Sequence, residues 1–214
     1  STASFASEFS IVLDKGIDSF YNFEFQNAIL LVDSAKSIDS LHPLPPFLIL
    51  ASNWLLTQTQ SGYQESYNVL NNDIKKAIPI YEKLIETDPD NPQALLYLGT
   101  TYGMRARVSL AHKEWLQVIY NGYQGYKYIF SAYKINPYLT DALMPIGLMK
   151  YFACMSSYPV QIAAKIAGIN PNCEEGIADL KTAAFGNGYS SVESANILSY
   201  IYLAMLQHIL DISY

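Results

Sequence analysis

The chain has 214 residues, of which half are apolar and 15% charged, and a formal net charge of −6. That length provides one domain or one repeat array with ample core, and so much apolar content excludes a disordered chain. Thirteen basic residues without a Lys/Arg-rich run exclude a nucleic-acid face, which needs clustered positive charge.

From the amino end, Ser4 to Asp14 places Phe5, Phe9, Val12 and Leu13 at helical spacing, predicting a short amphipathic helix. From Ile17 onward Phe20, Phe23 and Phe25 lead into Ala28-x3-Val32-x2-Ala35, a helix running to about Ser40 and ended by His42-Pro43-x-Pro45-Pro46. The next helix starts at the double proline and passes through Trp54 to about Thr59. Gln60 to Asn72, rich in Ser and Asn and containing Gly62, is the most loop-like interval, with helix continuing in part through Tyr63, Tyr67 and Leu70. Ile74 to Thr87 is again helical.

Asp88-Pro89 and Asn91-Pro92 then give a turn signal that feeds Leu95-x2-Leu98-Gly99-x2-Tyr102. Proline suits the first turn of a helix, where its missing N–H would lack a partner anyway. A glycine in mid-helix costs about 1 kcal/mol relative to alanine, so Gly99 needs a packing reason such as close approach of a neighbouring helix. A long pair of helices follows, 92–110 and 113–135. Asn136-Pro137 opens the helix that contains Gly147 and fades near Cys154, and Pro145 inside it should produce a kink. Tyr158 to Gly168 is a short extra helix started by Pro159. Asn170-Pro171-Asn172 is a turn, 173–186 the next helix, Gly186-Asn187-Gly188 its stop, and Ser191 to Ile212 the last helix. No segment alternates with period two, so the fold class is all-α.

Two spacings repeat. Gly147 follows Gly99 by 48 residues, as Pro137 follows Pro89. A second pattern, small-x3-large-x2-small-x4-Pro, fits Ala77, Tyr81, Leu84 and Pro89, with Leu84 oversized. It also fits Gly125, Ile129, Ala132 and Pro137, and then Gly176, Leu180 and Ala183 with Gly188 in the proline slot. In these patterns the chain resembles the tetratricopeptide (TPR) family, with Leu95 where the usual signature has Trp. The excess over the family's usual repeat of 34 residues is about 14, or about four helical turns. Two extra turns on each helix of a hairpin would preserve the faces that meet.

The resemblance implies a right-handed superhelix of antiparallel helix hairpins over residues 1–214, in units of approximately 4–40, 46–88, 92–135 and 138–186 with a terminal helix 191–212. It also implies that the first helices of successive units line a concave face. Carried onto this sequence, the inward positions are Trp54, Thr57 and Gln58, then Thr100, Gly103 and Met104, then Leu148, Tyr151 and Phe152, and last Ser199, Tyr202 and Leu203. Asn53 falls where Gly99 and Gly147 fall later, which relaxes the helix contact there. The face is aromatic and apolar, unlike grooves that take acidic peptide tails through Lys and Asn.

No catalytic constellation accompanies these frames. His42, His112 and His208 lack a metal-like partner at i+3 or i+4, and Gly122-x2-Gly125 lies in a tyrosine-rich helix rather than a phosphate loop. Glu174-Glu175 is an acid pair suited to a helix's first turn. No cofactor or metal is expected. Arg105 and Arg107, the only arginines, lie about 200° apart on their helix. At most one of them faces the groove, with Arg107 the candidate, as a fork for a carboxylate; in the alternative reading one pairs with an acid such as Asp141 or Glu114 and the other is solvated. Tyr120, Tyr123 and Tyr126 form a stripe that packs between units.

Cys154 and Cys173 read as free thiols, with a clip between neighbouring helices as the alternative. The terminal helix carries no charge from Ser194 to Leu210 and is too short and polar for a membrane span. It therefore needs covering by a symmetric partner or by downstream sequence. A start at Ser1-Thr2-Ala3 reads as a cleaved mature form or a trimmed one, and few Lys with much Ser, Asn and Tyr lean towards an exported bacterial protein. The functional expectation is a non-catalytic module binding a peptide or protein. The alternative is small-ligand capture in an apolar channel, as in the TPR-like T component of some TRAP transporters.

Overall fold

The computed structural model describes residues 2–212, with side chains described for 8–207. The expected packing of Phe5, Ile209 and Leu210 and the placement of the His208 ring therefore lie outside the described residues. Within them every regular element is a helix: α1 (Thr2–Tyr21), α2 (Phe25–Ile38), α3 (Leu44–Thr87), α4 (Pro92–Ala111), α5 (Trp115–Ile135), a 3-10 turn (Thr140–Ala142), α6 (Leu143–Met155), α7 (Tyr158–Ile166), α8 (Cys173–Ala184) and α9 (Ser191–Ile212). Its contacts gather into two compact units, Ser1–Tyr128 and Ile129–Tyr214.

In the first unit each helix packs on the next: α1 on α2, α2 on α3, α3 on α4. Of the frame positions read from the sequence here, Ala28, Val32, Ala35, Ala77 and Tyr81 are buried, whereas the oversized Leu84 is half-buried and Pro89 is exposed in the turn. The turns α1–α2 and α4–α5 share one construction. The Glu24 N–H donates to the Ser19 carbonyl and the Phe23 N–H to that of Phe20, and Glu114 and Lys113 repeat this towards Ser109 and Leu110. This is the Schellman closure, which needs a left-handed residue, and Phe23 (φ 63°) and Lys113 (φ 59°) supply it without being glycine. Each hairpin is also tied by an asparagine: the Asn27 amide donates to Ser19 Oγ at 2.9 Å, and the buried Asn121 amide to Ser109 Oγ at 3.3 Å.

The interval Gln60–Asn72, expected to be loop-like with helix only in part, is helix on both sides of one reversing residue. α3 is two antiparallel limbs, 44–61 and 63–87, reversed at one residue, Gly62, with φ 81° and ψ −177°. That region is essentially closed to residues with a Cβ. Ser66, Leu70 and Ile74 are fully buried along the second limb, and that packed stripe overrides the weak helix propensity of the Ser and Asn around it. Asn53, in the slot held elsewhere by glycine, reaches across the limbs and donates to Asp73 Oδ2 at 2.8 Å.

Close helix contact is made where glycines meet. A Cβ on Gly125 of α5 would sit 2.8 Å from the Gly99 carbonyl oxygen of α4. In the second unit, Gly147 of α6 and Gly176 of α8 do the same reciprocally, at 2.6 and 2.7 Å from each other's carbonyl oxygen. The core of this unit gathers Tyr151, Leu180, Leu198 and Ile201 between α6, α8 and α9. The expected kink at Pro145 is absent, because α6 begins at Leu143, placing the proline in the first turn, where no intrahelical N–H bond is lost. The cysteines are joined, Cys154 to Cys173, which corrects the free-thiol reading in favour of the clip. The glycine stop after α8 answers to space rather than to a left-handed turn. A Cβ at Gly188 would collide with the Asp141 carboxylate, which accepts the Ser190 N–H at 2.7 Å.

At the corner between α2 and α3, His42 Nδ1 accepts the Leu44 N–H at 3.3 Å and its ring lies 4.7 Å from that of Phe9. Burial pushes the His42 pKa below its usual 6.5, against the opposing charge of Asp39. Folding therefore favours the neutral ring. This contribution is present above about pH 6.5 and is lost as pH falls through the lowered folded value. Thermal melts at pH 7.5 and pH 5 should show a larger acid loss for wild type than for His42→Asn, which keeps an acceptor but does not titrate. Equal losses would assign the acid sensitivity elsewhere.

Candidate functional site

On the first unit three helical segments bring together Trp54 (first limb of α3), Tyr67 (second limb) and Arg107 (α4). The Arg107 guanidinium carbon lies 4.9 Å from the Trp54 ring centroid, and the Tyr67 ring is 6.3 Å from it. Trp54 is half-buried, and its indole N–H is enclosed without a partner. Among the described residues no ion pair or hydrogen bond holds the exposed guanidinium of Arg107. Stacking on an aromatic face is worth about 0.5–1 kcal/mol at an exposed site, and it leaves the N–H donors open to a carboxylate or carbonyl from outside.

The other expected positions on this unit divide in two. Gln58 and Met104 are half-buried beside exposed Gly103. The hydroxyls of Thr57 and Thr100 are spent on their own helix, donating to the carbonyls of Asn53 at 2.7 Å and Leu96 at 2.8 Å. Arg105 is half-buried, and its charge lowers the Tyr102 pKa. Desolvation, and then the charges of Tyr128, Glu82 and Tyr120, outweigh it and hold the phenol above its usual value. Tyr102 stacks on Tyr128 at 5.8 Å. Beside Tyr128 an open groove of about 460 Å³ runs between Glu82, Ile85, Glu86, Pro89 and Leu98. The tyrosine stripe of α5 is split: Tyr126 is buried, whereas Tyr120 and Tyr123 are exposed with Trp115, Leu116 and Ile119.

On the second unit the expected positions separate. Tyr151 is a core residue, 7% exposed against Leu180 and Leu198, and its ring is closed to a partner. Its neighbour Phe152 is mostly exposed, and Leu148 is half-buried. On α9, Tyr202 lies 5.8 Å from the Lys181 ammonium, Leu203 is exposed, and Ser199 donates to the Ala195 carbonyl at 2.9 Å. A charged cluster that bridges helices here is structural. Lys150 of α6 meets Asp179 at 2.8 Å and Glu175 at 3.3 Å on α8, beside the glycine contact. Desolvation alone would lower the Lys150 pKa, but Asp179 and then Glu175 outweigh it and raise it.

Tyr67 is the member that sequence reasoning missed, because it fell in the interval read as loop. Its signal was the spacing Tyr63, Tyr67, Leu70. Asp141, read as a partner for arginine, instead caps the start of α9 through Ser190. Among the described residues no three His, Cys, Asp or Glu side chains gather as metal ligands, and no helix is long and apolar enough to cross a membrane.

The family model for the tetratricopeptide repeat matches residues 80–113, which cover the end of α3, the Pro89–Pro92 turn and α4. No curated protein matches the chain. Repeats of that family generally mediate contacts between proteins.

Proposed function

From the premise that this chain is an all-helical, tetratricopeptide-like repeat protein, we propose that it is a non-catalytic module that holds a peptide or protein partner. The surface is the face of the first unit around Trp54, Tyr67 and Arg107, with Gln58, Thr100 and Met104 at its edge. The observation that carries this reading is the unpaired guanidinium stacked on Trp54, since Trp, Tyr and Arg are the residue types that concentrate binding energy at protein interfaces. On the second unit, taken by itself, Leu148 and Tyr202 are the positions proposed for a partner. A second copy is the partner proposed for α9, whose Tyr200, Leu203, Met205 and Leu206 stand exposed. The disulfide favours an oxidising compartment, in keeping with an exported protein.

The small-ligand reading would need an enclosed cavity lined by Trp54, Met104 and Phe152. The Trp54 ring is instead covered by the exposed Arg107 guanidinium, which supports the protein-partner reading. A pull-down from the source organism tests it with wild type, Arg107→Ala and Trp54→Ala/Arg107→Ala. Arg107 is exposed, so the single variant keeps the fold intact. A partner recovered by wild type should fall about tenfold or more with Arg107→Ala, the loss of a typical hot-spot side chain. Equal recovery by both variants would discard this face.

A further inference from the structure

The segment between the half-cystines, residues 155–172, is built the wrong way round for a helix surrounded by water. A surface helix normally turns apolar side chains inward and polar ones outward. In α7 none of the nine residues is buried. Its Gln161 faces the protein, and Nε2 donates to the carbonyls of Cys154 and Ser156, both at 3.0 Å. Tyr158, Ile162 and Ile166, one turn apart, are exposed by 75%, 42% and 83%. Phe152 and Met155, in the last turn of α6, are more than half exposed as well.

Nine residues are too few to hold a helix in water by propensity, and α7 contributes no fully buried side chain to the core. Its shape rests on tethers: the Gln161 hydrogen bonds, and the disulfide that closes the base of the excursion. A chain that maintains an outward apolar helix in this way presents it to a non-aqueous neighbour.

Charge identifies that neighbour. The chain as a whole is acidic, yet no acidic residue occurs between Asp141 and Glu174. Of the two cations in that stretch, Lys150 is engaged by Asp179 and Glu175, while Lys165 is exposed in the last turn of α7. An apolar face edged by Tyr and Lys, with no acid to be repelled by lipid phosphate, suits the water–lipid boundary. Lysine can lay its stem along the apolar face and keep its ammonium at the headgroups. Pairing two copies through α7 would instead leave Lys165 with no acid in the mate's segment to answer it.

We propose that α7, with Phe152 and Met155, is a membrane-surface contact that lies in the interfacial plane of a lipid bilayer. At about 13 Å long the helix rests on the bilayer and cannot span it.

The test is flotation of the full chain with vesicles of phosphatidylcholine, alone and mixed with phosphatidylglycerol. Wild type should float with the vesicles, more strongly when the anionic lipid is present. Ile162→Asp/Ile166→Asp alters two exposed side chains, so its melting temperature should match wild type while its bound fraction drops at least about tenfold. A Tyr158→Trp variant should show a blue-shifted emission on vesicles after subtraction of the wild-type signal. Wild type that stays unbound on both vesicle types, or a double variant that floats equally, would overturn the proposal. So would a wild-type dimer that the double variant dissociates, since a second copy would then cover the face.

Discussion

Gly147→Leu should cost the second unit about 3 kcal/mol or more, the upper end of what overpacking a tight contact produces, and Gly147→Ala should also destabilise. The alanine result is the more telling one. In an open helix, alanine gains about 1 kcal/mol over glycine. At Gly147 the new Cβ would lie 2.6 Å from the Gly176 carbonyl oxygen, 2.9 Å from Asp179 Cβ and 3.0 Å from the Leu180 nitrogen. Two of those atoms are backbone of α8, and they can give way only if the helix moves. Gly103, in α4, has nothing within 4 Å of its notional Cβ, so Gly103→Ala should gain about the full propensity difference. Denaturant melts of Gly147→Ala, Gly147→Leu and Gly103→Ala decide the matter. If both alanine variants shift stability in the same direction, the glycine contact is not what sets the distance between α6 and α8.

Removing the disulfide is the second large effect. Cys154 and Cys173 close a loop at a sequence separation of 19. In the chain-entropy account a loop of that size is worth about 3 kcal/mol. Cys154→Ser/Cys173→Ser should lower the melting transition of the second unit accordingly, and wild type in reductant should melt with the variant. Insensitivity of wild type to reductant would show the bond to be absent in solution. The loss should fall on the second unit alone, because both cysteines lie within it.

The architecture was legible where the sequence repeats itself. Gly99, Gly125, Gly147 and Gly176 were each set out by a small residue recurring in a helical frame, and these are the backbones that approach one another. What escaped was decided by packing that a linear pattern does not carry. The Ser- and Asn-rich stretch after Gln60 resembles a loop in composition, yet Ser66, Leu70 and Ile74 recur at fourth positions and are buried, which makes it helix. Pro145 was read as interior to a helix because Pro137 looked like its start. A 3-10 turn at Thr140–Ala142 moves that start to Leu143 and makes the proline harmless. The two cysteines could not be paired from spacing, since only the excursion of α7 returns Cys173 to Cys154. In the candidate site, Trp54 was an inward position of the frame and Arg107 one of two arginines of which at most one could face the groove, but their stacking depends on the packing of the first limb of α3 against α4, which a linear pattern does not carry.

Gly62 leaves the chain one residue away from a different object. Both limbs of α3 are helical up to that position, so a residue that favoured ordinary helical angles there would fuse them into a single rod of 44 residues, about 66 Å long. The contacts that the second limb now makes with its own first limb would then be satisfied only by another molecule's. Exchange of this kind between identical chains is a low-cost route to intertwined dimers, and here the positive φ open to Gly62 is what lets the two limbs turn back on each other within one chain.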